Sequence, residues 1–219
     1  KFYADGKNAY AILPTTYETV PGTYTLTFTY DGMSFPFTFT VTEKTFKKQA
    51  YDIAKATAEA TRNAKTLAAY DKLVAEIAAG DFGTKYFDGV WNTGTIMTGY
   101  GLYRSISKTG EVYRHDGVDF YAKDGSKVLA VNAGKVVYVG ASDYPGVFVV
   151  IDHGYGLLSW YGNLAKATVK TGDVVAAGDA IATSGCTGFT KGNSLHVGLT
   201  VFGVPVCPYD LWENPIAFK

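Results

Sequence analysis

The chain is short of cysteine and histidine, and it has no excess of either charge. Only Cys186 and Cys207 occur in 219 residues, and they form no C-x-x-C pair, which argues against a zinc site built on thiolates. Two readings of them stay open: a single disulfide across neighbouring strands in an oxidising compartment, or two buried free thiols. Lys+Arg and Asp+Glu balance at 20 each, and the basic residues are dispersed. No nucleic-acid partner and no attachment to an anionic membrane is therefore expected. No run approaches the roughly 18 apolar residues that a spanning helix needs, so no transmembrane segment is expected. Lys1 opens directly in what reads as a strand, without Met or signal peptide, which reads as an excised fragment whose export signal or anchor has been removed.

What the chain does have is apolar content, 47% hydrophobic against 18% charged, enough to fold around a core in one or two domains. Residues 1–44 alternate like antiparallel strands. "GTYTLTFTYDGMSFPFTFTVTEK" sets Tyr24, Leu26 and Phe28 on one face with Thr on the other and turns at Asp31-Gly32, which predicts a hairpin. A small, truncated sandwich-like (Ig-like) module is expected there. Residues 45–84 shift to Ala, Lys, Glu and Thr, with Leu67, Tyr70, Val74 and Ile77 at helical spacing and Gly80 as a stop, so a helical connector is expected. Loop signals, "GDFGTKYFDG", follow. Residues 85–219 are β-rich, with strands separated by Gly, Asp and Pro turns, and predict an antiparallel β-sandwich or curled sheet. The fold class is mainly β.

Three histidines can be weighed one by one: His115, His153 and His196. His115 opens "HDGVDF", with Asp119 four residues on and Gly117 between them allowing a tight backbone path. His, Asp and a second His from a distant strand suit zinc, because three N/O donors leave a fourth position open. Taken alone, H-x-x-x-D is a weak signal and reads rather as a surface His beside a turn Asp. In "NSLHVGL", Ser194 lies two residues before His196, so in a strand both side chains face the same way.

The ordered set is more specific. "TGTIMTGYGLYR", "YRHDGVDF", "VLAVNAGKVVYVG", "VVIDHGYGLLSWYGNL", "VKTGDVVAAGDAIATSGCTG", "NSLHVGL" and "VPVCPYDL" together resemble the lysostaphin-type, LytM-like zinc metallopeptidases, which cut peptides of bacterial peptidoglycan. The resemblance covers roughly residues 90–215. It implies Zn2+ held by His115, Asp119 and His196. Two further histidines of the family, which act on the reacting water and carbonyl, are replaced here: one by Asn163 in "YGNL", the other by Ser194. Asn cannot accept a proton near neutrality, and Ser offers only a hydroxyl on a short arm. The expectation is a metal site with impaired or absent hydrolysis. His153 is the best candidate for a displaced base, and with Tyr161 it is expected to line the groove or to be structural; Tyr144 and Tyr103 are further hydroxyls near it.

The resemblance also implies peptidoglycan peptides or a cell-wall hydrolase as partner, and a bacterial envelope or extracellular location. A non-catalytic scaffold that binds cell-wall peptide is the alternative. A biotinyl- or lipoyl-like carrier, suggested by "VKTGDVVAAGDAIATSG", is more remote because no lysine stands convincingly at a hairpin tip.

Overall fold

The computed structural model describes residues 1–87 and 94–213; the end of the expected "GDFGTKYFDG" loop, at Asp88 and Gly89, lies outside them. The first 44 residues form two separate two-stranded sheets, β1 (Tyr3–Asp5) with β2 (Asn8–Tyr10) and β3 (Gly22–Tyr30) with β4 (Met33–Val41). The hairpin predicted at Asp31-Gly32 is present, and both residues take positive φ, 48° and 72°, as a tight two-residue turn between twisted strands requires. The expected sandwich is not assembled among the described residues. Alternation does sort Thr25 and Thr38 to one face and Leu26 and Phe37 to the other, but β3 and β4 pair only with each other, and Phe37 stays 52% exposed. A sandwich needs a second sheet over that face.

The connector contains one strand that helical periodicity does not reveal. β5 (Lys48–Tyr51) pairs in parallel with β7 (Tyr103–Ile106), and β7 pairs with β8 (Val112–Arg114). Then come α1 (Lys55–Thr61) and α2 (Ala64–Ala78). Asn63 caps α2 by accepting from the Thr66 amide at 3.0 Å, a contact of the kind that contributes ~1 kcal/mol.

The rest is β-rich, as its composition predicts. β6 (Ile96–Thr98), β9 (Gly117–Tyr121), β10 (Lys127–Leu129), β11 (Gly134–Ser142), β12 (Gly146–Gly154), β13 (Leu157–Ala167), β14 (Val174–Val175), β15 (Ala180–Ser184), β16 (Ser194–Val201) and β17 (Val204–Val206) join one curled antiparallel sheet. Its main path runs β14-β11-β12-β13-β16-β9-β6, and a short helix, α3 (Pro208–Glu213), follows. The carrier-like stretch supplies β14 and β15 of this sheet.

"VFVVI" in β12 is continuously apolar because both of its faces are covered. Val149 and Ile151 enter the main core with Leu157, Tyr161, Val197 and Leu199. Phe148 and Val150, with Leu158 and Trp160, face the other way and meet Leu73, Val74 and Ile77 of α2. Each fully buried side chain of this size contributes ~1.5–3 kcal/mol, so α2 is held to the sheet by packing. Among the described residues no helix is long and apolar enough to cross a membrane.

Candidate metal centre

The central strands place the site. In the β9–β16 register Asp119 stands directly opposite His196, and across β13 His196 stands opposite Gly162. His115 precedes β9 by two residues and folds back over it. The ligand atoms that meet are His115 Nε2, Asp119 Oδ1 and His196 Nδ1, separated by 3.1 Å, 2.9 Å and 3.3 Å. Gly117 lets β16 approach closely. A Cβ there would lie 2.7 Å from His196 Nε2 and 2.6 Å from the Val197 carbonyl oxygen. Glycine is required because the Val197 carbonyl and the His196 imidazole of the opposite strand occupy that space.

Two of the three side chains are hydrogen-bonded from behind, and the third faces a carboxylate. His115 Nδ1 donates to the Gly99 carbonyl at 2.7 Å, which fixes the tautomer and leaves the Nε2 lone pair facing the cluster. Asp119 Oδ2 accepts from Arg104 Nη2 at 2.5 Å. His196 Nε2 faces Asp116 Oδ1 at 3.6 Å. Burial alone would push the Asp119 carboxyl up. When the two imidazoles are protonated, as they can be with no metal between them, the charge of His115 and hydrogen bonds from both histidines outweigh burial and hold the carboxyl well below the usual range.

The donor set fits a zinc ion. Ligands ~2.0–2.2 Å from a tetrahedral metal are ~3.3 Å from one another, close to the separations observed. Without a cation, three lone-pair-bearing atoms so close together would repel unless protons lay between them.

Asn163 and Ser194 share the cleft, about 490 Å³ in volume, with His115, Asp119 and His196. Asn163 sits at a bend of β13 with φ +60°; its Nδ2 donates to the Thr187 carbonyl at 2.9 Å, and its backbone amide donates to the Pro145 carbonyl at 2.9 Å. Its donor is thus partly committed to a loop. Ser194 Oγ lies 3.1 Å from Thr190 Oγ1. The i, i+2 expectation for Ser194 and His196 matches what is seen, since both line the cleft.

Other expected site residues lie elsewhere. His153 and Tyr161 do not line the groove. They are fully buried in a hydrogen-bonded chain that runs from the Ala133 carbonyl through His153 Nδ1 and Nε2, Ser159 Oγ and Tyr161 Oη to the Val131 amide. Burial pushes the His153 imidazole down to about 4, so it is neutral and enclosed, with no path to a substrate. Apolar residues on both sides of Asp152-His153 draw this end of β12 into the core. Cys186 and Cys207 are both free, Cys186 exposed and Cys207 half-buried, because the loop after β15 and the start of α3 do not bring their sulfurs together. Tyr144 lines the cleft, whereas Tyr103 is exposed beneath the Arg114 guanidinium.

Sequence reasoning missed the wall that the first 84 residues contribute. Gln49 and Tyr51 of β5 and Tyr70 of α2 line the cleft with Arg104, Tyr113 and Phe189. No periodicity could reveal a parallel pairing between strands more than fifty residues apart.

A curled antiparallel sheet carrying a His/Asp/His cluster at the floor of a cleft defines a metallopeptidase class of fold and site. Residues 113–208 match peptidase family M23, and the chain belongs to that family, whose metal is zinc. The peptidoglycan DD-endopeptidase ShyB of Vibrio cholerae is 36% identical over 111 residues, 51% of this chain and 26% of ShyB. The chain thus spans about a quarter of that relative's length. A zinc-containing peptidase from Vibrio cholerae is similar in structure, with a TM-score of 0.51 and 32% identity over 56% of this chain and 39% of that one. The catalytic domain of the antimicrobial peptidase lysostaphin from Staphylococcus simulans matches with a TM-score of 0.50 and 31% identity over 55% of this chain and 93% of the domain.

Proposed function

We propose that this chain is a peptidoglycan-directed member of the family that holds zinc through His115, Asp119 and His196 and hydrolyses poorly or not at all, its cleft serving to bind cell-wall peptide in the bacterial envelope or outside the cell. One observation carries the reading. The three ligand atoms converge within 3.3 Å of one another, each backed by its own partner, while Asn163 and Ser194 beside them are bonded to loop atoms and neither takes up a proton near neutrality.

Zinc held there supplies Lewis-acid polarisation of a bound carbonyl. The chain's own residues do the remainder. Arg104 and the Gly99 carbonyl orient the ligands, and Asn163 and Ser194 offer hydrogen bonds to a bound peptide. No cleft side chain outside the ligand cluster is a histidine. The domain organisation fits the same reading: residues 85–219 carry the site, residues 45–84 cover the sheet and wall the cleft, and residues 1–44 form appended hairpins. The relatives' names support peptidoglycan as the target.

The test is hydrolysis of purified peptidoglycan and of glycine-rich and stem peptides by zinc-loaded protein, beside a His115→Ala control. Stoichiometric zinc with no product above the control is expected. Zinc-dependent product that the control lacks overturns the impaired-catalysis reading and places the chain with the active peptidases.

A further inference from the structure

Arg104 is a buried cation with a specific task. It is 4% exposed, and its three nitrogens are all directed: Nη2 to Asp119 Oδ2 at 2.5 Å, Nε to Gln49 Oε1 at 2.9 Å, and Nη1 to the Tyr113 hydroxyl at 3.4 Å. Its guanidinium carbon also lies 4.6 Å from the centre of the Tyr51 ring, within range of a cation–π contact. Burying a guanidinium is costly unless it is paired and hydrogen-bonded, and here both conditions are met by residues converging from three strands.

The consequence falls on Asp119. A carboxylate has two oxygens that can rotate or exchange as ligands. With Oδ2 tied to a planar fork that is itself fixed at two other points, Oδ1 is the oxygen left facing His115 Nε2 and His196 Nδ1. Gln49 and Arg104 both precede residues 113–208, the part that matches the family. Gln49 comes from a segment that the sequence presents as a connector.

We propose that Arg104 is a positioning residue for the metal ligand Asp119, held in turn by Gln49 of β5, so that the segment upstream of the matched domain is a working part of the metal centre. This rests on the reading of the cluster as a zinc site. Outer partners of metal ligands set affinity by ~10–100-fold, and an Asp119 freed from Arg104 is a buried carboxylate whose Oδ2 has lost its hydrogen bond.

The experiment is a competitive zinc titration against a fluorescent chelator, using the full chain and its Arg104→Met, Arg104→Lys and Gln49→Leu variants, with the visible spectrum of each cobalt(II)-loaded protein as a report on ligand geometry. Arg104→Met is expected to bind zinc ~10–100-fold more weakly with an altered cobalt spectrum, Arg104→Lys to recover part of both, and Gln49→Leu to show a smaller loss in the same direction. Gln49→Leu also answers the question if Arg104→Met fails to fold, because it leaves the Arg104–Asp119 pair in place. Absence of zinc uptake by the unaltered chain overturns the zinc reading and this one with it. Uptake that stays within twofold in folded Arg104→Met, or in Gln49→Leu where Arg104→Met does not fold, overturns this one alone.

Discussion

The two sides of the cleft are built to different standards. On one side, three candidate ligand atoms from β9, β16 and the turn before β9 converge, with His115 and Asp119 hydrogen-bonded from behind by a carbonyl and a guanidinium and His196 facing a carboxylate at 3.6 Å. On the other side, Asn163 donates to the Thr187 carbonyl and Ser194 is hydrogen-bonded with the Thr190 hydroxyl. On the proposed reading, the contrast teaches that one fold can keep the geometry for a metal without a proton acceptor beside it.

The contrast breaks first at a ligand. His196→Ala is expected to weaken zinc binding by more than the ~100-fold that loss of an outer partner produces, and metal analysis after gel filtration reads it directly. Retained stoichiometric zinc would show that the cluster is not the metal centre.

Restoring a proton acceptor sharpens it from the other side. Ser194→His or Asn163→His is expected to raise peptide hydrolysis by ~10²–10⁴-fold with zinc affinity unchanged. Position 163 tolerates the exchange because His, like Asn, is among the residues enriched at positive φ, although the bond to Thr187 is lost. The gain should appear in kcat. A rate that stays at the level of His115→Ala in both variants would mean that something other than the missing acid/base group limits the chain.

A smaller effect concerns the histidine held in reserve. His153→Gln is expected to leave any residual hydrolysis unchanged, since the ring lies in the core away from the cleft. Loss of residual rate in a folded variant would restore His153 as a base.

Its signature is instead in stability. The His153 imidazole is pushed from 6.5 down to about 4 by burial, so the unfolded chain takes up its proton first. That histidine therefore lowers stability as pH drops from about 6.5 toward about 4, by ~3 kcal/mol at most. Neighbouring Asp152, raised by burial to about 6, acts in the opposite sense: the folded form binds its proton more readily, and that contribution is lost as pH rises through about 6. The two oppose each other in one window. Urea unfolding of Asp152→Asn between pH 6.5 and 4 is expected to show a steeper acid loss than the unaltered chain; parallel curves would refute the opposition.

The N-terminal hairpin marks the limit of pattern reading. Asp31-Gly32 predicts its turn because only a few residues accept two successive positive φ values, and strict alternation predicts its two faces. Whether a second sheet covers the apolar face depends on segments far away in sequence, and none does so among the described residues. The same holds for Cys186 and Cys207, whose pairing is a matter of distance, and for His153, whose motif looks the same in a groove or in a core.

By itself the sequence determined the local and the chemical: a mainly β chain, helical spacing from Leu67 to Ile77 with Gly80 as its stop, the i, i+2 partnership of Ser194 with His196, and the His and Asp residue types that can ligate a metal. Those follow from backbone sterics, side-chain period and pKa, which are properties of short stretches. Only the tertiary structure decided that Gly117 makes room for the His196 ring, that Arg104 and Gln49 stand behind Asp119, and that His153 is sealed away from the cleft. Each of these is a contact between strands distant in the chain, set by sheet register and packing rather than by spacing.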